Sequence, residues 1–461
     1  MVATSVDLPR LVIAAPASGT GKTTVATGLI AALHRRGLAV SPHKVGPDYI
    51  DPGYHALACG RPGRNLDPWL VGSSRVAPLL LHGAGDRTAG DRAAGDRGPA
   101  DIAVIEGVMG LYDGMASRPG YASTAHVARL VDAPVVVVLD TRSMARTAAA
   151  VVLGLRAFDE RIHLGGVILN RVGSPSHERM LRSALAEIGV EVLGAIARAD
   201  EFVSPSRHLG LVPVAEHAAG ALAVVDALAD AVERSVDLDA VLALARRAAP
   251  LDVRAWDPGT EVGGAVTSTE PVVAVASGPA FTFGYAEIPE LLVAAGARVV
   301  GFDPLRAAAL PPGTRGVVIG GGFPEVYAEA LSSNRALRAE LAAFDGPVLA
   351  ECAGLLYLGE SLDGAPMVGR LPVRSRMTSR LTLGYREAVS VSPSCVGDAG
   401  ETVRGHEFHK TATDPGHGTT PAWGWNGAWH GFVDRGLHAS YLHTHWAGHP
   451  SAARRFVEAA A

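Results

Sequence analysis

The chain holds only three cysteines, Cys59, Cys352 and Cys395, among 461 residues. Three thiols cannot build a disulfide framework. They fit a reducing compartment and leave open that one of them is a nucleophile. Aromatic residues make up just 5% of a chain that is 48% hydrophobic, so the core must come from Ala, Val and Leu, as in parallel sheets covered by helices. Positive charge is not in excess: 41 Lys and Arg stand against 46 Asp and Glu, for a formal net charge of −5, and the pI is about 6.4. This balance offers no basic face to nucleic acid. No apolar run reaches transmembrane length and no secretory pattern opens the chain. Neither a membrane span nor export is expected, and the expected location is the cytoplasm. The length calls for two domains.

What is present is concentrated in glycine turns that follow apolar runs. Residues 11–29 read LVIAAPASGTGKTTVATGL: a buried strand, a turn of small residues, a lysine with two hydroxyls, then a helix. That is the layout of a phosphate-binding P-loop. Ser18, Gly19, Thr20, Gly21, Lys22, Thr23 and Thr24 form the candidate phosphate-binding turn. The two glycines let successive N–H groups point inward, and the helix N-terminus adds its partial positive charge. Lys22 reaches the outer phosphates and Thr23 holds magnesium. Pro16 stands where the usual pattern begins with glycine, so a chance turn is the competing reading.

A second strand over residues 38–43 runs into KVGPDYIDPGYH at 44–55. Ligands of open α/β sheets sit at such strand ends. Asp48 and Asp51 there are either magnesium ligands or solvated acids of a rigid turn. Residues 79–100 are of low complexity, with AGDR starting at Ala84, Ala89 and Ala94, and read as a surface loop. Residues 101–105 resume as a strand ending in EGVMGLYDG at 106–114. A strand-end acid orders magnesium in P-loop enzymes, which makes Glu106 the candidate ahead of Asp113. Further strands over 134–140, 164–170, 190–196 and 209–214 alternate with helices ending at 158 and spanning 176–189 and 217–247. The alternation predicts a parallel sheet covered on both faces. Residues 247–270 lose the pattern and read as a linker.

A second α/β unit starts with a strand at 272–276. A strand at 316–319 leads into GGGFPE at 320–325, where backbone N–H groups near Gly321 and Gly322 could hold an oxyanion. The stronger signal is PVLAECAGLLYL at 347–358. It places Cys352 on a strand-to-helix turn, resembling a nucleophile elbow, where a helix N-terminus is expected to favour the thiolate. A base is needed. ASYLHTHW at 439–446 reads as one strand, with His443 and His445 on the same face and either one able to pair with Cys352. A histidine-rich surface is the alternative. Zinc is set aside because no cysteine lies at ligand spacing. RGHEFH at 404–409 is ambiguous on spacing alone.

Together with ILNRV at 168–172, SRHLGLVP at 206–213, RGHEFHK at 404–410 and SYLHTHW at 440–446, these stretches resemble the cobyrinic and hydrogenobyrinic acid a,c-diamide synthases. Those are glutamine-dependent enzymes of cobalamin biosynthesis, and the resemblance runs nearly end to end. It implies an α/β chain with a P-loop, dethiobiotin synthetase-like parallel-sheet domain at 1–246, a linker at 247–270, and a class I glutamine amidotransferase domain of flavodoxin-like α/β fold at 271–461. It implies Cys352 as the nucleophile and His443 as its base, with His445 second and standing where a glutamate is usual. It further implies Thr23, Asp48 and Glu106 as magnesium ligands, Lys22 and Lys44 as phosphate contacts, and Asn170 at the adenine. The implied substrates are ATP, L-glutamine and hydrogenobyrinic or cobyrinic acid, with Mg2+ as cofactor. ATP turns the a- and c-carboxylates into acyl phosphates, and ammonia from the cysteine site makes the amides. The same chemistry on another tetrapyrrole such as nickel-sirohydrochlorin, and a partitioning-type P-loop switch ATPase, are the alternatives. Monomer and homodimer both stay open.

Overall fold

The computed structural model describes residues 5–85, 98–198, 206–207, 210–211, 213–216 and 218–461. The chain divides into two compact units, one of residues 1–68 and 72–256, the other of 69–71 and 257–461.

The first unit is built on seven strands: β1 (Arg10–Ala14), β2 (Val40–Val45), β3 (Arg64–Leu66), β4 (Ile102–Glu106), β5 (Val135–Asp140), β6 (Leu164–Val172) and β7 (Val192–Ala197). They lie in the order β3-β2-β4-β1-β5-β6-β7, and every pairing is parallel. Such a sheet is buried on both faces, which is why β1 and β5 are runs of Leu, Val and Ile with no exposed member. Because all strands point one way, the turn after β1, Lys44 near the end of β2 and Glu106 at the end of β4 reach the same edge. Register places Glu106 opposite both Ile13 and Lys44. The P-loop helix, Lys22–Arg35, is entered through Gly21 in the left-handed region at φ 97°, a conformation only glycine adopts without strain.

Residues 79–84, read from sequence as the start of a loop, are instead the last turns of the helix Ser73–Ala84. Leu79, Leu80 and Leu81 are buried there. Composition misled because the apolar residues belong to the helix, and the AGDR repeat begins only at its last residue, Ala84. Of the strand expected over 209–214, the structure describes β8 (Ser206–Arg207) pairing antiparallel with β9 (Gly210–Leu211). Residues 209 and 212 lie outside the described set. The stretch 247–270 holds a short helix, Pro258–Val262, capped by Asp257.

In the second unit β10 (Val272–Ala276), β11 (Arg298–Phe302), β12 (Thr314–Ile319) and β13 (Val348–Glu351) are followed by β14 (Ser361–Leu362), β15 (Ala365–Pro366) and the long pair β16 (Arg374–Ser390) and β17 (Thr402–Asp414). Then come β18 (Trp423–Trp425), β19 (Ala428–His430), β20 (Phe432–Asp434), β21 (Leu437–Ser440) and β22 (His443–Thr444). One sheet runs β11-β10-β12-β13-β21-β20, and another runs β15-β14-β16-β17-β22. The first is parallel except at its β20 edge. Thus residues 439–446 are not one strand. The chain leaves the parallel sheet at Ser440 and joins β17 at His443. No helix among the described residues is long and apolar enough to cross a membrane.

Candidate active sites

In the first unit five side chains meet at the carboxyl edge of the sheet. The Thr23 hydroxyl donates to Glu106 Oε1 at 2.6 Å and lies 3.1 Å from Asp51 Oδ2. Lys44 Nζ bridges the same two carboxylates at 2.5 and 2.7 Å. His55 Nε2 sits 2.7 Å from Glu106 Oε2, and both side chains are fully buried. Asp48, expected among the metal ligands, instead accepts the N–H groups of Ile50 and Asp51. It caps the helix Asp51–Cys59 at its start, and Asp51 is the acid that reaches Thr23. The sequence reading had not placed His55. Its signal was the four-residue spacing from Asp51, which puts both on one helix face.

The charges are out of balance. Two buried carboxylates share one lysine ammonium. Burial pushes Asp51 up, with Asp48 adding to the push against the pull of Lys44, to about 8. Burial opposes the charge on Glu106, but Lys44 and His55 outweigh it and hold its carboxyl low. Lys44 stays firmly charged against its burial because Asp51, Glu106 and Asp48 surround it. Lys22 is lowered to about 8, first by burial and then by Lys44, and its ammonium rests on the carbonyls of Ala17 and Met109. Hard oxygen donors, one of them a carboxyl whose raised affinity for its proton a cation would reverse, suit magnesium, which binds through one or two carboxylates plus phosphates and water. Asn170 donates to the Thr20 carbonyl at 2.9 Å, and a side chain at Gly21 would lie 2.2 Å from its amide. It braces the P-loop turn.

In the second unit Cys352 follows β13 and opens the helix Ala353–Leu358 with φ 50° and ψ −100°, a strained conformation for a residue with a Cβ. Its N–H is held by the Ser440 carbonyl at 2.8 Å. The glycine turn lies against this elbow: Gly354 N–H donates to the Gly320 carbonyl at 3.1 Å, and a Cβ on Gly354 would meet the Ile319 carbonyl at 2.3 Å. A Cβ on Gly321 would fall 2.5 Å from His443 Cε1. The elbow, the glycine turn and the His443 ring are therefore packed in one place, and the absent side chains make room for it.

His443 stacks on His406, with centroids 5.0 Å apart. His445 turns elsewhere. It stacks on Tyr285 at 4.1 Å, its Nε2 lies 3.6 Å from Glu287 Oε2, and its Nδ1 accepts the Ala447 N–H. The two histidines do not share a strand face, because β22 ends between them. Gly321 cannot serve the oxyanion as expected, since its N–H is bonded to the Phe283 carbonyl at 3.1 Å. The Ala353 N–H, which sequence reasoning missed, points instead at the Cys352 sulfur.

Electrostatics also correct the expected thiolate. Burial pushes the Cys352 thiol far up, and Glu325, Glu351 and Glu407 push it further, against the Ala353 N–H. Six residues of helix do not offset that desolvation. Burial and then His406 hold the His443 imidazole well below its ordinary value. The thiol and the imidazole both rest neutral.

A turn of backbone N–H groups with a lysine, a hydroxyl and two acids at one sheet edge defines a P-loop nucleotide enzyme. A buried cysteine elbow beside a histidine defines a glutamine amidotransferase. Residues 11–212 match the CobQ/CobB/MinD/ParA nucleotide binding domain, and residues 272–451 match the CobB/CobQ-like glutamine amidotransferase domain. The chain is 55% identical to a hydrogenobyrinate a,c-diamide synthase of Streptomyces coelicolor, covering 98% of this chain and 97% of that protein. It is 54% identical to one of Thermobifida fusca over 98% and 97%. It is 41% identical to a cobyrinate a,c-diamide synthase of Syntrophotalea carbinolica over 98% of each. The chain belongs to the a,c-diamide synthase family, ATP-dependent ligases with a glutamine amidotransferase domain.

Proposed function

We propose that the chain amidates the a- and c-side-chain carboxylates of hydrogenobyrinic acid, using ATP, L-glutamine and Mg2+. The observation that carries the choice of substrate is the grading of relatives. Those at 55% and 54% identity are named for hydrogenobyrinate, and the one at 41% for cobyrinate.

In the first unit a substrate carboxylate attacks the γ-phosphorus of ATP, giving an acyl phosphate and ADP. Lys22 moves from the Ala17 and Met109 carbonyls onto the phosphate oxygens, and Asn170 keeps the P-loop in shape. Thr23, Asp51 and Glu106 hold the magnesium ion, which when bound neutralises phosphate charge. Lys44 and His55 orient the two carboxylates. In the second unit Cys352 Sγ attacks the glutamine carboxamide while His443 takes the thiol proton. The N–H groups of Ala353 and Gly322 receive the oxyanion. The C–N bond breaks, His443 returns the proton to the departing ammonia, and water releases glutamate from the thioester. Ammonia then displaces phosphate from the acyl phosphate.

The test is glutamine-dependent ADP release with hydrogenobyrinic acid and with cobyrinic acid, on wild type and Cys352→Ala. The expected result is preference for the metal-free acid, and a variant that works with ammonium but not glutamine. ADP release that ignores both tetrapyrroles and the mutation would leave a nucleotide switch as the better reading.

A further inference from the structure

Beside the P-loop edge lies a cavity of about 940 Å3 that runs from Ser18 to the end of the helix Thr147–Phe158. Neither the phosphate chemistry nor the cysteine site uses it. Its size is at the upper end for small-molecule sites. Two features of its wall need explaining.

The first is apolar surface left in water. Phe158 is 75% exposed and Met109 42% exposed, and both line the cavity together with Tyr112 and Tyr121. The Phe158 ring leans on Tyr112, with centroids 4.7 Å apart, so the two make one continuous surface. The chain is poor in aromatics, and gathering them at an open mouth rather than in the core marks a place where a flat apolar ligand lies.

The second is a pair of arginines on one acid. Arg129 Nη1 is 2.5 Å from Asp159 Oδ2, and Arg161 Nε is 2.8 Å from Oδ1. One carboxylate fixes both guanidiniums at the wall, and the pair keeps a net positive charge with N–H groups to spare. The cavity's other acid, Asp113, accepts the Gly110 N–H at 3.0 Å. The wall thus offers an aromatic shelf beside fixed cations, which is the complement of a macrocycle edged with carboxylates.

We propose that this cavity seats the tetrapyrrole, with Met109, Tyr112 and Phe158 under a face of the macrocycle and Arg129 and Arg161 on its peripheral carboxylates. Ser18 lines the cavity and belongs to the P-loop turn, so a carboxylate of a substrate seated there lies beside the ATP phosphates. This assignment rests on the substrate reading above. Phe158 and Arg161 bind the body of the substrate, away from the reacting atoms.

The experiment is equilibrium binding of hydrogenobyrinic acid and of cobyrinic acid to the full chain, followed by absorbance, for wild type, Phe158→Ala and Arg161→Glu. Met180→Ala is the control, being 51% exposed and outside the cavity. Both Phe158 and Arg161 are surface side chains, and thermal melts confirm that the variants stay folded. Each cavity variant is expected to weaken binding and raise the tetrapyrrole KM about tenfold, with the ATP KM and the glutaminase rate unchanged. The Arg161→Glu defect alone should shrink as salt is raised on wild type and variant together. Wild-type affinity in both cavity variants overturns the assignment while leaving the substrate reading intact. Failure of the wild type to bind either acid overturns both.

Discussion

The two reactive centres solve opposite problems. The P-loop centre buries charge: Lys44, Asp51, Glu106 and His55 form one network with separations of 2.5 to 2.7 Å. The cysteine centre buries neutrality: a thiol raised by burial and by nearby carboxylates, and an imidazole lowered by burial. Fixed charge suits a reaction whose substrate arrives highly anionic and needs its charge balanced. A neutral dyad suits a nucleophile that must stay unreactive until glutamine excludes water and the proton can pass to His443. The difference teaches that preorganisation is electrostatic in one unit and steric in the other, where missing side chains at Gly321 and Gly354 set the geometry.

The largest effect should come from Cys352→Ala, which would lower glutamine-dependent amidation by about a thousandfold or more. Ammonium-dependent turnover should stay near wild type, as read by ADP release with each nitrogen source. Loss of both would show that the two centres cannot be separated in this way. Next, Lys44→Met should remove turnover with either nitrogen donor. It should also cost about 3–5 kcal/mol in denaturant unfolding, because two buried carboxylates lose the ammonium that bridges them. Added Mg2+ should recover part of that stability, and an unchanged unfolding curve would deny the network its structural role.

Glu351 sharpens the contrast from the other side. Burial raises its carboxyl to about 7 from 4.5, against the hydrogen bonds it accepts from Thr444. The folded chain therefore holds this proton more tightly than the unfolded chain. Its contribution to stability is full below pH 4.5 and is lost as the pH rises through 7. Glu351→Gln keeps the acceptor oxygen for Thr444 and removes the titration. It should be more stable than wild type at pH 8 by on the order of 2 kcal/mol, with the gap closing toward pH 5 in parallel melts. The smallest effect expected is that of Asn170→Ala. Losing its bond to the Thr20 carbonyl should raise the ATP KM about fivefold, a cost near 1 kcal/mol, with no change in glutaminase rate.

The strands and turns of the P-loop edge and of the cysteine elbow were legible because each motif is contiguous: β1, β4 and β13 run directly into the turns that follow them. What was not legible depended on helix phase, on long-range pairing or on burial. Asp48 and Asp51 are three residues apart, and only the start of the helix Asp51–Cys59 decides which one caps and which one reaches Thr23. The long strand β16 reads RSRMTSRLTLGYREAVS, and its alternation of Leu381, Leu383 and Tyr385 marks no core face, since both leucines are exposed and the strand gains its order from β17. The switch of sheets between Ser440 and His443 is likewise set by partners distant in sequence. The Cys352 thiol was expected to ionise because a helix begins there, and desolvation outweighs so short a helix.

The backbone at Cys352 has a consequence for how this fold tolerates change. Its φ of 50° lies where a side chain is disfavoured, and such conformations cost of order 1–3 kcal/mol. Glycine would relax the elbow and leave the strand and helix around it in place. A selection for heat resistance alone, run without an activity requirement, would therefore drift toward glycine at this position and accumulate robust, inert chains. If Cys352 is the nucleophile proposed above, durability and reactivity pull on the same residue in opposite directions, and only selection for glutamine use would keep a sulfur there.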